Sequence, residues 1–141
     1  MTVTAKVEGL ERLQAKMLKL ASPSGQQIIA RANQLSANEF ERTVRSAIPT
    51  GDPERGHLED TLKQQQVGPV GFSVSIGDAA HPYPLHLETG HRARDGSTHV
   101  PGKAFWFPAR RLTKKRAINR AKAAESKAIR QAVGNATVSP E

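Results

Sequence analysis

The stretch VPGKAFWFPARRLTKKRAINRAKAAESKAIRQAVG, residues 100–134, contains three of the six aromatic residues of the chain and ten of its 21 lysines and arginines. Proline is tolerated in the first turn of a helix and glycine is favoured at its C-terminal end, so Pro108 and Gly134 predict one long helix. Small apolar residues recur along it at about helical spacing: Leu112, Ala117, Ala121, Ala124, Ala128 and Ala132. The stretch therefore predicts a long C-terminal helix with a weakly apolar face.

The positive charge of the chain is concentrated in this helix. From Lys103 to Arg130 there are ten basic residues and one acid, Glu125, a net +9 in a chain whose total is +8. The rest of the chain is therefore near −1. Such a concentration either faces a polyanion or an acidic partner surface, or is a solvated face without a target. The residues expected to contact DNA in a channel or an acidic partner are Arg110, Arg111, Lys114, Lys115, Arg120 and Lys122.

Three consecutive aromatic residues, Phe105, Trp106 and Phe107, precede the helix. Consecutive side chains point in different directions, so the three rings cannot all enter the core from one element. Aromatic residues are also enriched at the centres of interfaces. We expect at least one ring to meet another subunit, with Phe105 and Trp106 as the interface candidates.

The middle of the chain alternates between extended and helical patterns. Apolar residues alternate with serines over 72–76, and glycines and a proline over 68–71 separate this run from an ambiguous segment at 58–67. These features predict a β-hairpin. Residues 81–88 are typical of a short helix, and 91–102 are predicted to form a polar loop.

Two amphipathic helices are predicted nearer the N-terminus. Residues 10–20 place an apolar residue at every third or fourth position, and a longer helical pattern covers 26–47. Pro49 ends the second helix, because proline disfavours helix in the residue before it. Residues 3–7 alternate like a short strand, and 50–56 are rich in turn formers and predict an exposed loop.

These patterns predict an α+β fold with two N-terminal helices, a small antiparallel sheet with a hairpin, a short helix and a long basic C-terminal helix. A chain of 141 residues accommodates one domain, expected over 1–134 with a flexible tail at 135–141. Apolar residues make up 37% of the chain and aromatics 4%, so we expect a small core that completes its burial against a partner. Neither a signal peptide nor a membrane-spanning run is found, which predicts a soluble product made in a cytoplasm.

The segment HPYPLHLETGH, residues 81–91, contains three of the five histidines. His86, Glu88 and His91 carry side chains that bind metals or exchange protons, which raises the alternative of a metal hydrolase. However, the two histidines are five residues apart, whereas a helical metal pair is separated by four. The zinc-deaminase pattern that begins with His-x-Glu requires a downstream cysteine pair, and the chain has no cysteine. The sequence therefore favours solvated or interface histidines.

Other catalytic patterns are also missing from the sequence. No serine lies in a Gly-x-Ser-x-Gly elbow, and no glycine-rich phosphate loop is found. We therefore do not expect an enzyme, and predict no catalytic, cofactor-binding or metal-binding residue.

Four blocks occur in a characteristic order: KVEGLERLQAKMLKL (6–20), SAIPTGDPERGHLEDTLK (46–63), HPYPLHLETGH (81–91) and VPGKAFWFPA (100–109). In this order they resemble the tail-completion, or head–tail joining, proteins of long-tailed bacteriophages, the lambda gpZ-like family of HK-type phages. Residues 52–57 look like an insertion relative to the family pattern, and Lys103 stands where the family has an arginine. The matching positions along the chain are Val7, Gly9, Leu10, Leu13, Pro49, Gly51, Leu58, Tyr83, Glu88, Gly90, Pro101, Phe105, Pro108 and Ala109.

The resemblance implies a structural virion protein at the neck of a siphophage or phage-like particle, assembled in the cytoplasm of the host bacterium. It implies a homo-oligomeric ring, expected to be hexameric, that contacts neighbouring neck and tail-tube proteins and non-specifically the DNA in its channel. It implies no cofactor and no membrane contact. Tyr83 and Glu88 join Phe105 and Trp106 as expected interface residues, with Glu88 pairing with an arginine or a backbone amide. The loops at 50–56 and 91–102 are expected to contact neighbouring subunits or rings.

The rival hypothesis is a small basic DNA-binding protein that uses the same helix on free duplex. No helix-turn-helix spacing or aromatic-bearing sheet motif supports sequence readout, so its contacts would be to phosphates and non-specific. The neighbouring genes distinguish the two hypotheses, since portal, capsid and tail-tube genes alongside would support the neck protein.

Overall fold

The structure, a computed structural model, describes residues 9–50 and 57–134. Within these ranges it is an α+β fold of four α-helices and two separate two-stranded antiparallel sheets, which confirms the predicted fold class. The elements in chain order are α1 (Leu10–Leu20), α2 (Pro23–Ala47), a short 3-10 helix (Leu58–Thr61), β1 (Lys63–Val67), β2 (Gly71–Ser75), α3 (Pro84–Thr89), β3 (Gly90–Arg92), β4 (His99–Pro101) and α4 (Trp106–Gly134). The predicted strand at 3–7, the loop at 51–56 and the tail at 135–141 lie outside the described residues.

Helix α2 begins three residues before the predicted start because its first turn is built for capping. The Ser22 hydroxyl accepts a hydrogen bond from the Gly25 amide at 3.3 Å, and Pro23 occupies the first turn. At the other end Ile48 adopts an extended conformation, as expected for the residue before Pro49, and its N–H bonds to the Val44 carbonyl.

The two long helices, α2 and α4, lie against each other in antiparallel directions. Ala32 and Ala124 share one groove, and further along the pair Arg120 bonds to Ser36 and Glu39, while Val44 packs near Ala109 at the far end. Alanines are buried along much of this contact, because small side chains allow two helix backbones to approach closely: Ala32, Ala37, Ala109, Ala124 and Ala128.

The hydrophobic core sits where the C-terminal end of α2 meets the N-terminal end of α4. Val44 and Phe105 are fully buried there, together with Leu58, Leu62 and Ala109. Partly buried apolar side chains complete it: Phe40, Ile48, Val74, Ile76, Tyr83, Leu87 and Trp106. The core is therefore small, as the composition predicts, and it lies at one end of the helix pair.

The predicted β-hairpin is confirmed as β1 paired with β2, in the register Gln65↔Ser73. Gly68 takes a positive φ of 66° in its turn, a conformation that favours glycine. The Asn33 side chain of α2 donates to the Val70 carbonyl at 2.8 Å and ties this turn to the helix. Val74 faces the core while β1, rich in glutamine, is mostly exposed, which explains why its sequence was ambiguous.

The prediction of a polar loop over 91–102 is wrong, because this segment forms a second hairpin of β3 and β4. Its turn is closed by a side chain. The Asp95 carboxylate accepts hydrogen bonds from the amides of Ser97 and Thr98 at 3.0 Å each and from the Thr98 hydroxyl at 2.7 Å. Strands of three residues are too short to show an alternating pattern, so the sequence does not reveal them.

Candidate functional site

Glu88 on α3 connects the histidine-rich segment to the start of α4. Its side chain is buried, with 8% of the residue exposed. Glu88 Oε2 accepts hydrogen bonds from the amides of Phe105 and Trp106 at 2.8 Å each, and Oε1 accepts one from the Phe107 amide at 3.0 Å. Amides at the N-terminal end of a helix lack partners within the helix, and the helix dipole favours a negative charge there. The carboxylate therefore caps α4 from another element.

Two opposing effects act on the pKa of the Glu88 carboxyl group. Burial disfavours the charged form and raises the pKa, whereas the three amide hydrogen bonds and the nearby Arg111 guanidinium lower it. The net pKa lies below the usual value, so the group is ionised at neutral pH. Both kinds of partner predicted for Glu88 are present: backbone amides form its hydrogen bonds, and Arg111 acts through its charge without a direct salt bridge. Because its oxygens are engaged inside the subunit, Glu88 is not available as an interface residue.

Near this cap, the backbone of residues 102–103 lies very close to the backbone of residues 87–90. The Lys103 amide donates to the Leu87 carbonyl at 2.7 Å. A Cβ at Gly102 would lie 2.6 Å from the Glu88 carbonyl oxygen and 2.6 Å from the Gly90 nitrogen, so only glycine fits. Gly90 itself has a φ of 81°. The segment 100–109 thus depends on the segment 81–91 for its position.

The three aromatic rings point in different directions, as the sequence predicts, but the exposed one is Phe107. Phe105 is 1% exposed and lies in the core, so its ring is buried inside the subunit and is not at a surface that another subunit could contact, contrary to the prediction. Trp106 is half-buried and packs edge-to-face on Phe40, with ring centroids 4.8 Å apart. Phe107 is 44% exposed. The reason is that the core lies on the side of α4 that carries Ala109, and Phe107 faces away from it.

Tyr83 and the histidines line a pocket of about 630 Å³ beside α3. Tyr83 is half-buried and packs against the core, while the rings of His86 and His91 lie 5.8 Å apart. Glu88 is not part of this pocket, because its carboxylate faces the amides of α4. Within residues 9–50 and 57–134, no group of three or more histidine, cysteine, aspartate or glutamate residues is placed to hold a metal ion.

The basic residues of α4 divide into two groups. Arg111, Lys115 and Lys122 follow spacings of four and seven, which places them on one side of the helix, and all three are exposed. Arg110 and Lys114 are exposed as well, and none of the five forms a salt bridge within the described part of the chain. We call Arg111, Lys115 and Lys122 the basic face.

The second group consists of Arg116 and Arg120, which form ion pairs within the subunit. The prediction that Arg120 contacts DNA or an acidic partner is therefore corrected. The guanidinium of Arg120 donates to the Ser36 hydroxyl and to Glu39, each at 2.9 Å, and Arg116 also pairs with Glu39 at 2.8 Å. Arg120 therefore holds α4 to α2 and is neutralised within the subunit. No local pattern predicts this ion pair, because Glu39 lies 81 positions away along the chain.

The tip of the second hairpin carries exposed cations beside a turn that is hydrogen-bonded through Asp95. Hydrogen bonds from the amide and hydroxyl of Thr98 and from the amide of Ser97 lower the pKa of Asp95 to about 2. Arg92 and Arg94 lie just before Asp95 and are exposed. Asp95 was not singled out from the sequence, although Asp-Gly-Ser-Thr is typical of turns in which a carboxylate accepts from the following amides.

Large apolar side chains remain exposed on all four described α-helices, and most of them lie on α1 and α4. Leu13 and Met17, on the predicted apolar side of α1, are 55% and 62% exposed. On α4, Leu112 and Ile118 are exposed together with Phe107. The described elements therefore leave apolar surface on α1 and α4 unburied.

Comparison of the chain with protein-family models, with curated proteins and with solved structures finds no match. Among the described helices, none combines the length and the apolar character needed to cross a bilayer.

Proposed function

We propose that this protein is a structural virion component that forms a homo-oligomeric, six-fold ring at the head–tail junction of a long-tailed phage or phage-like particle. The proposal starts from the order of the four sequence blocks. Its third and fourth blocks meet through Glu88, whose carboxylate caps the helix that follows the fourth block. This gives the matched glutamate and the aromatic block a shared structural role that needs no catalysis.

The observation that carries the proposal is the apolar surface left open on α1 and α4. A small core at one end of a helix pair buries little surface, and large uncovered apolar patches mark sites of association. In the proposed ring, Leu13 and Met17 of one subunit contact the next subunit, and Phe107 contributes to the same kind of contact.

The basic face supplies the second surface of the proposed ring. Three exposed cations on one side of α4, which form no salt bridge with any described residue, fit either the phosphates of DNA in a channel or an acidic neighbouring ring. Contacts with phosphates alone carry no sequence information, as a channel for any genome requires.

Deletion of the gene tests the proposal directly. A joining ring has no part in packaging, so we expect DNA-filled heads and separate tails, or defectively joined particles, in electron micrographs of the lysate. Supplying the intact gene in trans is the control and should restore joined particles. Accumulation of empty, unexpanded shells would contradict the assignment to the neck.

A small, basic, non-specific DNA-binding protein is the second candidate, since the same face would also bind free duplex. It predicts a gene outside a morphogenesis cluster and a protein that coats DNA in the cell. Portal, capsid and tail-tube genes next to this one would favour the neck ring.

A further inference from the structure

A groove of about 810 Å³ runs between α2 and α4, at the end of the helix pair opposite the core. Its apolar floor is formed by Ile28, Ala32, Leu35 and Ala124. Leu35 is 51% exposed, so this floor is open to solvent in the single chain. The lining residues on α2 extend over about 16 Å at a rise of ~1.5 Å per residue, which is about three helical turns.

The rim of the groove is cationic. Arg31 and Lys127 are exposed on either side and form no salt bridge with any described residue. The third cation in the lining, Arg120, is already paired with Glu39. No described aspartate or glutamate lines the groove. An occupant must therefore cover apolar side chains and supply negative charge at the edges.

We infer that this groove binds an amphipathic helix of a partner protein, with apolar residues at positions i, i+3 or i+4, and i+7, and carboxylates flanking them. The apolar residues cover Leu35 and Ile28, and the carboxylates pair with Arg31 and Lys127. In the neck, the source of this helix is a neighbouring ring protein. That identification rests on the proposed function, whereas the chemistry of the groove does not.

Two other occupants fit the groove less well. Phosphates of a nucleic acid would pair with the rim but leave the apolar floor uncovered. The amphipathic helix α1 of a second copy has apolar residues, but it carries Arg12, Lys16 and Lys19 against one acid, Glu11, a net charge of +2. Like charges across an interface oppose binding, so a second copy is disfavoured.

Two synthetic helical peptides, each about three to four turns long, test the charge preference. Both carry the same leucine face; one has glutamates beside it and the other has lysines at the same positions. Fluorescence anisotropy with the intact protein should show saturable binding of the acidic peptide and binding at least roughly tenfold weaker for the basic one. Equal binding of both peptides, tighter binding of the basic one, or no binding of the acidic one would overturn the inference.

Matched variants locate the binding. Two variants should each weaken binding of the acidic peptide by about tenfold or more. Leu35→Glu disrupts the apolar floor, and the double variant Arg31→Gln with Lys127→Gln removes the charges of the rim. Leu112→Glu on α4, and Arg42→Gln with Lys63→Gln away from both the groove and the basic face, make the same kinds of change at exposed positions and should have less than about a twofold effect. All changed side chains are at least partly exposed, and circular dichroism checks that each variant is folded. Equal losses in both sets would mean general charge attraction and overturn the inference.

The chain has no cysteine, so one introduced cysteine can carry a photocrosslinker. Leu35→Cys in assembled particles should crosslink to an acidic helix of a different protein, and Leu112→Cys should not give that product. A crosslink from Leu35→Cys to a second copy would overturn the choice of partner. This outcome is distinct from failure of the proposed function, because a protein that is not a neck component would leave head–tail joining intact on gene deletion while still binding the acidic peptide.

Discussion

Glu88 determines how α4 begins, since its one carboxylate accepts hydrogen bonds from three successive amides, those of Phe105, Trp106 and Phe107. Hydrogen bonds to an ionised acceptor are stronger than those between neutral groups. The two segments that it joins are also linked by a hydrogen bond from the Lys103 N–H to the Leu87 carbonyl. The space between them admits only glycine at position 102. A single side chain thus links the short helix α3 to the long helix α4.

Glu88→Gln should lower the free energy of unfolding by about 1–3 kcal/mol. The glutamine side chain has no charge, and an NH2 group replaces one of the two oxygens that accept from the buried backbone N–H groups. Urea unfolding at neutral pH measures this, and Glu125→Gln, on the exposed side of α4, is the control and should change little. The folded pKa of Glu88 is lowered, so its contribution is present above the unfolded value near 4.5 and is lost as pH falls through the folded value. The difference in free energy of unfolding between wild type and variant should therefore become smaller at acidic pH. A difference that grew in acid would contradict the cap.

The neighbouring aromatic residues Phe105 and Phe107 should respond oppositely to truncation. Phe105→Ala removes a fully buried ring and should cost about 3–5 kcal/mol of stability. Phe107→Ala removes an exposed ring, so thermal melting of the subunit should hardly change while incorporation into particles falls. A large drop in melting temperature for Phe107→Ala, with normal incorporation of the folded protein, would place this ring in the core.

At the scale of elements, α4 combines two functions on two sides of one helix. Its inner side, with Ala109, Ala124 and Ala128, packs closely on α2 and is tied to it by Arg120. Its outer side presents the basic face. The stability of the helix in the fold and its charge are therefore separable by mutation.

Replacing Arg111, Lys115 and Lys122 with glutamine should leave the subunit folded, because exposed charges contribute little to stability. If the isolated protein binds DNA, its affinity should fall for all sequences alike, and the dependence of binding on salt should become shallower. Arg120→Gln is the contrasting variant: it should destabilise the subunit, since it breaks the contacts with Ser36 and Glu39. Tight binding of the wild type to one duplex sequence at physiological salt would favour the DNA-binding alternative.

At the scale of the whole molecule, the uncovered part of α1 is the feature that points to assembly. Leu13 and Met17 lie on the side of the helix that the periodic pattern marks as apolar, yet more than half of each is exposed. An amphipathic helix usually buries such a side. The two-helix unit of α2 and α4 carries its own core without it.

Met17→Glu should therefore leave the subunit folded but reduce its association into rings. The expected cause is a charge placed in an apolar contact between subunits, and native mass spectrometry or analytical ultracentrifugation measures it. Ala15→Glu adds the same charge on the exposed, opposite side of α1 and is the matched control. Normal ring formation by Met17→Glu would remove α1 from the proposed interface.

The sequence by itself determined the elements whose signals are local. The three longer helices α1, α2 and α4 follow from apolar spacing and from prolines at or near their ends, and the first hairpin follows from alternation over 72–76 beside a glycine-rich turn. The sequence alone also predicts the concentration of charge on α4. It likewise predicts that three consecutive aromatic rings point in different directions. Each of these depends on residues a few positions apart, so their physical cause can be read along the chain.

Only the tertiary structure decided which partners those elements meet. That Glu88 binds amides 17–19 positions away, that Arg120 is neutralised by Glu39, and that Phe107 is the exposed ring all depend on how α3 and α2 pack against α4. The second hairpin also escaped prediction, because a three-residue strand is stabilised by its pairing and by the Asp95 turn and leaves no periodic pattern. Burial and pairing between distant segments are properties of the packed molecule, and no local pattern encodes them.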